Sequence, residues 1–172
     1  NVLVLDSFWS RGRSENWITW REFGANMRLM DAIAAARYVR AQGADPAKTY
    51  LIGGSQGGWT VLRTFTASHQ MSSEVQQLYR GGIALYPNCT SVDNWYDWRP
   101  SSAQSSDGVP PLGPYSKPVI IFTGSADTAT SVKECKTDKT LKSAYAWHHY
   151  EGATHAWDIV HNVRTPDDAH LD

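Results

Sequence analysis

The segment Gly53-Gly54-Ser55-Gln56-Gly57 carries a side chain that can do chemistry at a spacing that suits it. It matches G-x-S-x-G and lies between the aliphatic run Thr49-Tyr50-Leu51-Ile52 and a stretch of helical character from about Gln56 to Ser68. A serine at so tight a strand-to-helix turn takes strained dihedrals, and side chains at Gly53 and Gly57 are expected to collide with neighbouring backbone. The turn lifts the Ser55 hydroxyl above the end of the strand and aims the first amides of the helix at whatever the hydroxyl attacks.

A serine hydroxyl is a poor nucleophile without a base. Of the six histidines, His155 lies in Tyr150-Glu151-Gly152-Ala153-Thr154-His155-Ala156-Trp157, a loop directly after a predicted strand. His148 and His149 lie inside that strand, where at least one should face the core or a helix; His69 is at a helix end, and His161 and His170 are in the tail. A histidine base needs a carboxylate to fix its tautomer and stabilise its cation. Asp127 follows another predicted strand in Phe122-Thr123-Gly124-Ser125-Ala126-Asp127, whereas its competitors Asp93, Asp97 and Asp107 do not sit so directly after one. The implied chemistry is acyl transfer: Ser55 as nucleophile, His155 as base, Asp127 as orienting acid, and the Gln56 amide as one of two oxyanion donors. Plainer alternatives are an incidental serine in a glycine-rich turn, a surface histidine and a helix-capping aspartate.

These groups need a frame that brings strand ends together. Val2-Leu3-Val4-Leu5 reads as a buried central strand, followed by a loop over 7–17 and a helix from about Phe23 to Ala41. On that helix Met27, Met30, Ile33, Ala34, Tyr38 and Ala41 form the expected apolar face, with Gly43 as its C-cap. Further strands are expected at 49–52, 82–86, 118–123 and 144–150, with a short helix from about Ser131 to Leu141. Strands alternating with helices indicate an α/β domain with a mostly parallel sheet. The length of 172 residues suits a single domain.

Residues 88–117 read as an irregular excursion carrying Trp95, Tyr96 and Trp98, of the kind that forms a lid or binding loop. Trp59, Trp95, Trp98 and Trp157 are the candidates to line a substrate groove, although aromatic residues equally build cores. Cys89 and Cys135 are placed after two strands and form either a disulfide or two buried thiols. A bridge would close a loop of roughly 45 residues, contribute about 4 kcal/mol on a loop-entropy view, and favour a secreted or periplasmic location.

Sixteen basic and 17 acidic residues give a formal net charge of −1 without long like-charged runs, which disfavours nucleic acid and anionic membranes as partners. The apolar runs are too short for a membrane span. The cysteines and histidines form no zinc-binding pattern, and the inferred chemistry requires neither metal nor organic cofactor.

The sequence resembles the dienelactone hydrolase family of α/β-hydrolases. The matching segments span nearly the whole chain: Val2-Leu3-Val4-Leu5-Asp6-Ser7-Phe8 with Arg11-Gly12, Gly53-Gly54-Ser55-Gln56-Gly57-Gly58, Ala84-Leu85-Tyr86-Pro87-Asn88-Cys89, Gly124-Ser125-Ala126-Asp127, and Tyr150-Glu151-Gly152-Ala153-Thr154-His155. The resemblance implies an α/β-hydrolase fold with the order Ser55, Asp127, His155, and cleavage of a small or polymeric ester. The family's namesake has a cysteine nucleophile, so Ser55 points to ordinary carboxylic esters instead. The rivals are a prolyl-oligopeptidase-like peptidase and a silent binding module built on the Trp-rich loop. Such a sheet normally has strands ahead of the one assigned to Val2–Leu5, and the second oxyanion donor lies in their loops. N-terminal strands are therefore expected to be missing, with an upstream segment of the same protein completing the sheet.

Overall fold

The computed structural model describes residues 1–12, 25–68, 71–89, 112–130, 132–137 and 139–158. Among the described residues the sheet has four parallel strands in the order of the chain: β1 (Tyr50–Gly54), β2 (Gly81–Leu85), β3 (Val119–Gly124) and β4 (Ala146–Tyr150). The helices are α1 (Ala25–Ala41), α2 (Gln56–Phe65), α3 (Ser72–Leu78), α4 (Val132–Thr137) and α5 (Lys139–Ser143). The alternation of strand and helix therefore gives the parallel α/β sheet anticipated from the sequence, and α3 is an element that the sequence reading did not anticipate.

Burial explains the arrangement. The helix α2 packs over β1 and β2, and buries Val61, Leu62 and Phe65 completely. On α1 the buried side chains are Leu29, Ala32, Ile33 and Ala36. This corrects the expected face: Met30 and Tyr38 are exposed, and the core stripe runs one position away from them. In an alanine-rich helix two neighbouring stripes have similar apolar character, so the period alone does not choose between them. Gly43 adopts a φ of +92° just beyond the helix, and its amide donates to the Arg40 carbonyl at 2.9 Å.

The segment Val2–Leu5 is also corrected. It lies outside every strand, and Val2 and Val4 are 90% and 85% exposed. An apolar run becomes a strand only where a neighbour accepts its backbone hydrogen bonds, and the described sheet ends at β1, where Tyr50 and Ile52 are themselves exposed. The chain beyond it is anchored at Arg11, whose guanidinium makes a two-pronged ion pair with Asp31 of α1 at 2.9 and 2.6 Å. His148 and His149 are both exposed on the edge strand β4, rather than facing the core.

Cys89 and Cys135 form a disulfide with Cα atoms 4.8 Å apart. Cys135 lies within α4 rather than after a strand, so the bond ties the segment following β2 to the helix following β3. The interior of the expected 88–117 excursion falls outside the described residues, as do His69, His161 and His170.

Candidate active site

Because all four strands are parallel, the segments that leave their C-terminal ends share one edge of the sheet. Ser55 follows β1, Tyr86 follows β2, Asp127 lies just after β3, and His155 lies in the turn after β4. Backbone hydrogen bonds hold the last two loops together: the Ser125 amide donates to Tyr150 O at 3.0 Å and the Ala126 amide to Ala153 O at 3.1 Å.

Ser55 sits at the head of α2 with φ 54° and ψ −117°, a conformation that costs a non-glycine residue about 1–3 kcal/mol. Neighbouring backbone holds it there, since its amide donates to Leu85 O and its carbonyl accepts from Trp59 N, both at 3.0 Å. A Cβ at Gly53 would collide with the Gly57 backbone, so Gly53 must lack a side chain. The expected collision at Gly57 is corrected: a Cβ there meets nothing within 4 Å. Gly57 forms the wall and Gly53 approaches it. Gly58 is also constrained, since its Cβ would lie 2.9 Å from Leu85 O.

The three chemistry-bearing side chains form a continuous chain. His155 Nδ1 is 2.9 Å from Asp127 Oδ2, and His155 Nε2 is 3.0 Å from Ser55 Oγ. Ionised Asp127 can only accept, so Nδ1 is the donor; in neutral imidazole Nε2 then accepts from the serine hydroxyl. Burial pushes the Asp127 carboxyl up, but the Thr130 amide, the His155 ring and the Thr130 hydroxyl outweigh it, and the carboxyl ends below its ordinary value. Asp127 Oδ1 accepts from the amides of Ala129 and Thr130 at 2.9 and 2.8 Å.

Other residues of this cluster escaped the sequence reading. The single proton of the Thr130 hydroxyl is shared between Asp127 Oδ2 at 2.7 Å and Tyr86 O at 2.9 Å, and its oxygen is 3.2 Å from His155 Nδ1. Tyr86 places its ring edge-on to His155 and its hydroxyl 2.7 Å from Asp158 Oδ1. In the sequence Tyr86 stands in the resembling segment Ala84-Leu85-Tyr86-Pro87-Asn88-Cys89 without an assigned role, and Gly54 is a glycine where the G-x-S-x-G pattern leaves the residue free.

Gln56 is the first residue of α2, where helix geometry leaves the amide without an intrahelical acceptor. Trp157 stands beside the cluster, edge-on to Tyr86 with centroids 4.9 Å apart. Trp59 does not line a groove: it is 1% exposed in the core, under the Arg63 guanidinium. Trp95 and Trp98 lie outside the described residues. A cleft of about 470 Å³ lies away from this edge, between α1 and α3, and holds none of these side chains. Among the described residues no helix is long and apolar enough to cross a membrane, and no three His, Cys, Asp or Glu gather as a metal-ligand set.

No family model matches the sequence, and no curated protein matches it. Solved structures do resemble the fold. A puromycin-hydrolyzing peptidase of Mycobacterium tuberculosis superposes with a TM-score of 0.58 at 22% identity, over 79% of this chain and 23% of its own. The apo form of Thermogutta terrifontis esterase 2 gives 0.54 at 22% identity, over 79% of this chain and 57% of its own. MGS-M1, an α/β-hydrolase enzyme from a Medee basin deep-sea metagenome library, gives 0.53 at 15% identity, over 74% of this chain and 50% of its own. The chain thus spans between about a quarter and just over half of these proteins, and it has the fold they share, the α/β-hydrolase fold.

Proposed function

We propose that this chain carries the nucleophile, base and acid of a serine hydrolase acting on carboxylic esters. The observation that supports it most directly is the unbroken sequence of contacts from Ser55 Oγ through His155 to Asp127, mounted on a strained residue at a helix head. In this reading Ser55 Oγ attacks the ester carbonyl carbon while His155 Nε2 takes its proton. The imidazolium is stabilised by Asp127 and then passes the proton to the departing alkoxide, leaving an acyl group on Ser55. Water, deprotonated by the same nitrogen, releases the acid. The Gln56 amide is one donor to the oxyanion. Trp157, next to His155, is the described tryptophan best placed to meet a substrate.

The narrower assignment to the dienelactone hydrolase family belongs to this proposal and rests on the sequence segments alone. A peptidase is the second reading, favoured by the likeness to the puromycin-hydrolyzing peptidase. Parallel panels of p-nitrophenyl esters and peptide amides separate the two, and fluorophosphonate labelling tests both. A protein that takes no label at Ser55 is a silent binding module, and the proposal fails.

A further inference from the structure

Tyr86 connects every segment that meets at the site. Its φ is +35°, a region that a bulky side chain occupies only where its surroundings force it. Contacts of its backbone and side chain do so. Its amide donates to Phe122 O at 2.8 Å, its carbonyl accepts from the Thr130 hydroxyl at 2.9 Å, and its phenol donates to Asp158 Oδ1 at 2.7 Å. The ring is buried and stands edge-on to both His155 and Trp157, with centroids 4.9 Å away in each case. It fits beside Ser55 because Gly54 has no side chain: a Cβ there would lie 2.6 Å from the phenol oxygen.

We infer that Tyr86 is a positioning residue for His155, and that its hydrogen bond to Asp158 latches the 155–158 turn so that Nε2 stays aligned with the Ser55 hydroxyl. The inference rests on the serine hydrolase reading. The Asp127 contact fixes one end of the imidazole, but a ring held at one nitrogen can still swing about that bond. The edge of Tyr86 blocks the swing from one side, and the Asp158 bond keeps the turn closed over the ring. Loss of the phenol hydroxyl therefore acts on proton transfer, while the Tyr86 ring that stays in place still packs against Trp157 and leaves substrate affinity little changed.

The test compares Tyr86→Phe, which keeps the ring and removes the hydroxyl, with Asp158→Ala, Asp158→Asn and the double variant Tyr86→Phe/Asp158→Ala. Each is assayed for ester turnover, for the rate of fluorophosphonate labelling and for folding by circular dichroism. Tyr86→Phe and Asp158→Ala should each lower kcat and the labelling rate about 10- to 100-fold, with KM within about twofold. The double variant should be no slower than the slower single variant, because one bond is removed either way. Asp158→Asn should recover most of the rate, since its amide oxygen still accepts from the phenol. The inference is overturned if kcat stays within twofold of the parent, if the loss appears in KM alone, or if the two losses multiply. If the unaltered protein neither turns over ester nor takes label at Ser55, the hydrolase reading itself falls. That result is distinct from a labelled parent with indifferent variants.

Discussion

His155 Nε2 lies 3.0 Å from Ser55 Oγ although 100 residues of chain separate them. The chain between them passes through three parallel strands, β2, β3 and β4, so the contact depends on the sheet register and not on local sequence. Replacing the hydroxyl removes the atom proposed to attack and leaves the register untouched. Ser55→Ala is therefore expected to lower kcat for an ester by several orders of magnitude. Intact mass after fluorophosphonate treatment should show an adduct on the parent and none on the variant; persistent labelling would place the nucleophile elsewhere.

Asp127→Asn keeps the shape of the acid but can present an N–H where the carboxylate accepted, which disfavours the tautomer with its proton on Nδ1. Turnover is expected to fall by about 10³- to 10⁴-fold with a native circular dichroism spectrum. A loss smaller than tenfold would show that another carboxylate does this work.

The same residue predicts a pH dependence of stability. The folded Asp127 carboxyl sits below its ordinary value. Its contribution is thus complete above the unfolded value of about 4, and disappears as pH falls through the lower folded value. Thermal midpoints measured from pH 5 down to pH 2 should fall less steeply for Asp127→Asn than for the parent. Parallel curves would contradict the depressed value.

Two of the elbow's glycines, Gly53 and Gly57, should respond oppositely. Gly53→Ala drives a methyl group into the Gly57 backbone and is expected to cost about 1–3 kcal/mol or more. Gly57→Ala meets no neighbour within 4 Å and places a better helix former in the first turn of α2, so it should be neutral or stabilising by up to about 1 kcal/mol. Urea unfolding midpoints of the two variants decide the matter, and equal losses would refute the asymmetry.

Reduction of the Cys89–Cys135 bond frees a loop with a sequence separation of 46. The loop-entropy view assigns this about 4 kcal/mol. For a chain of this size that is a fall in Tm of roughly 10 °C. Calorimetry with and without a phosphine reductant measures it, and Cys89→Ser/Cys135→Ser should match the reduced parent.

What could be read from the sequence was local or followed from strand order. The elbow is one contiguous segment, and Asp127 and His155 each come directly after a strand, so a parallel sheet brings such loops to a common edge. Thr130, Tyr86 and Asp158 were not legible, because only the folded loops bring them together. Val2–Leu5 misled because an apolar run states a preference for burial but does not supply the neighbouring strand. Trp59 misled because a large aromatic ring serves a core as well as a groove. On α1, alanines on adjoining faces blurred the stripe.

The disulfide also alters what a cut in the chain would mean. Its bond makes the stretch from Cys89 to Cys135 a closed covalent ring that contains Asp127, with Ser55 before it and His155 after it. A protease acting once inside that ring opens it without dividing the molecule. The piece bearing Ser55 and the piece bearing His155 stay joined through sulfur, and migrate as one species until a reductant is added. Cleavage there and separation of the two pieces are thus independent events, and the redox state of the surroundings governs only the second.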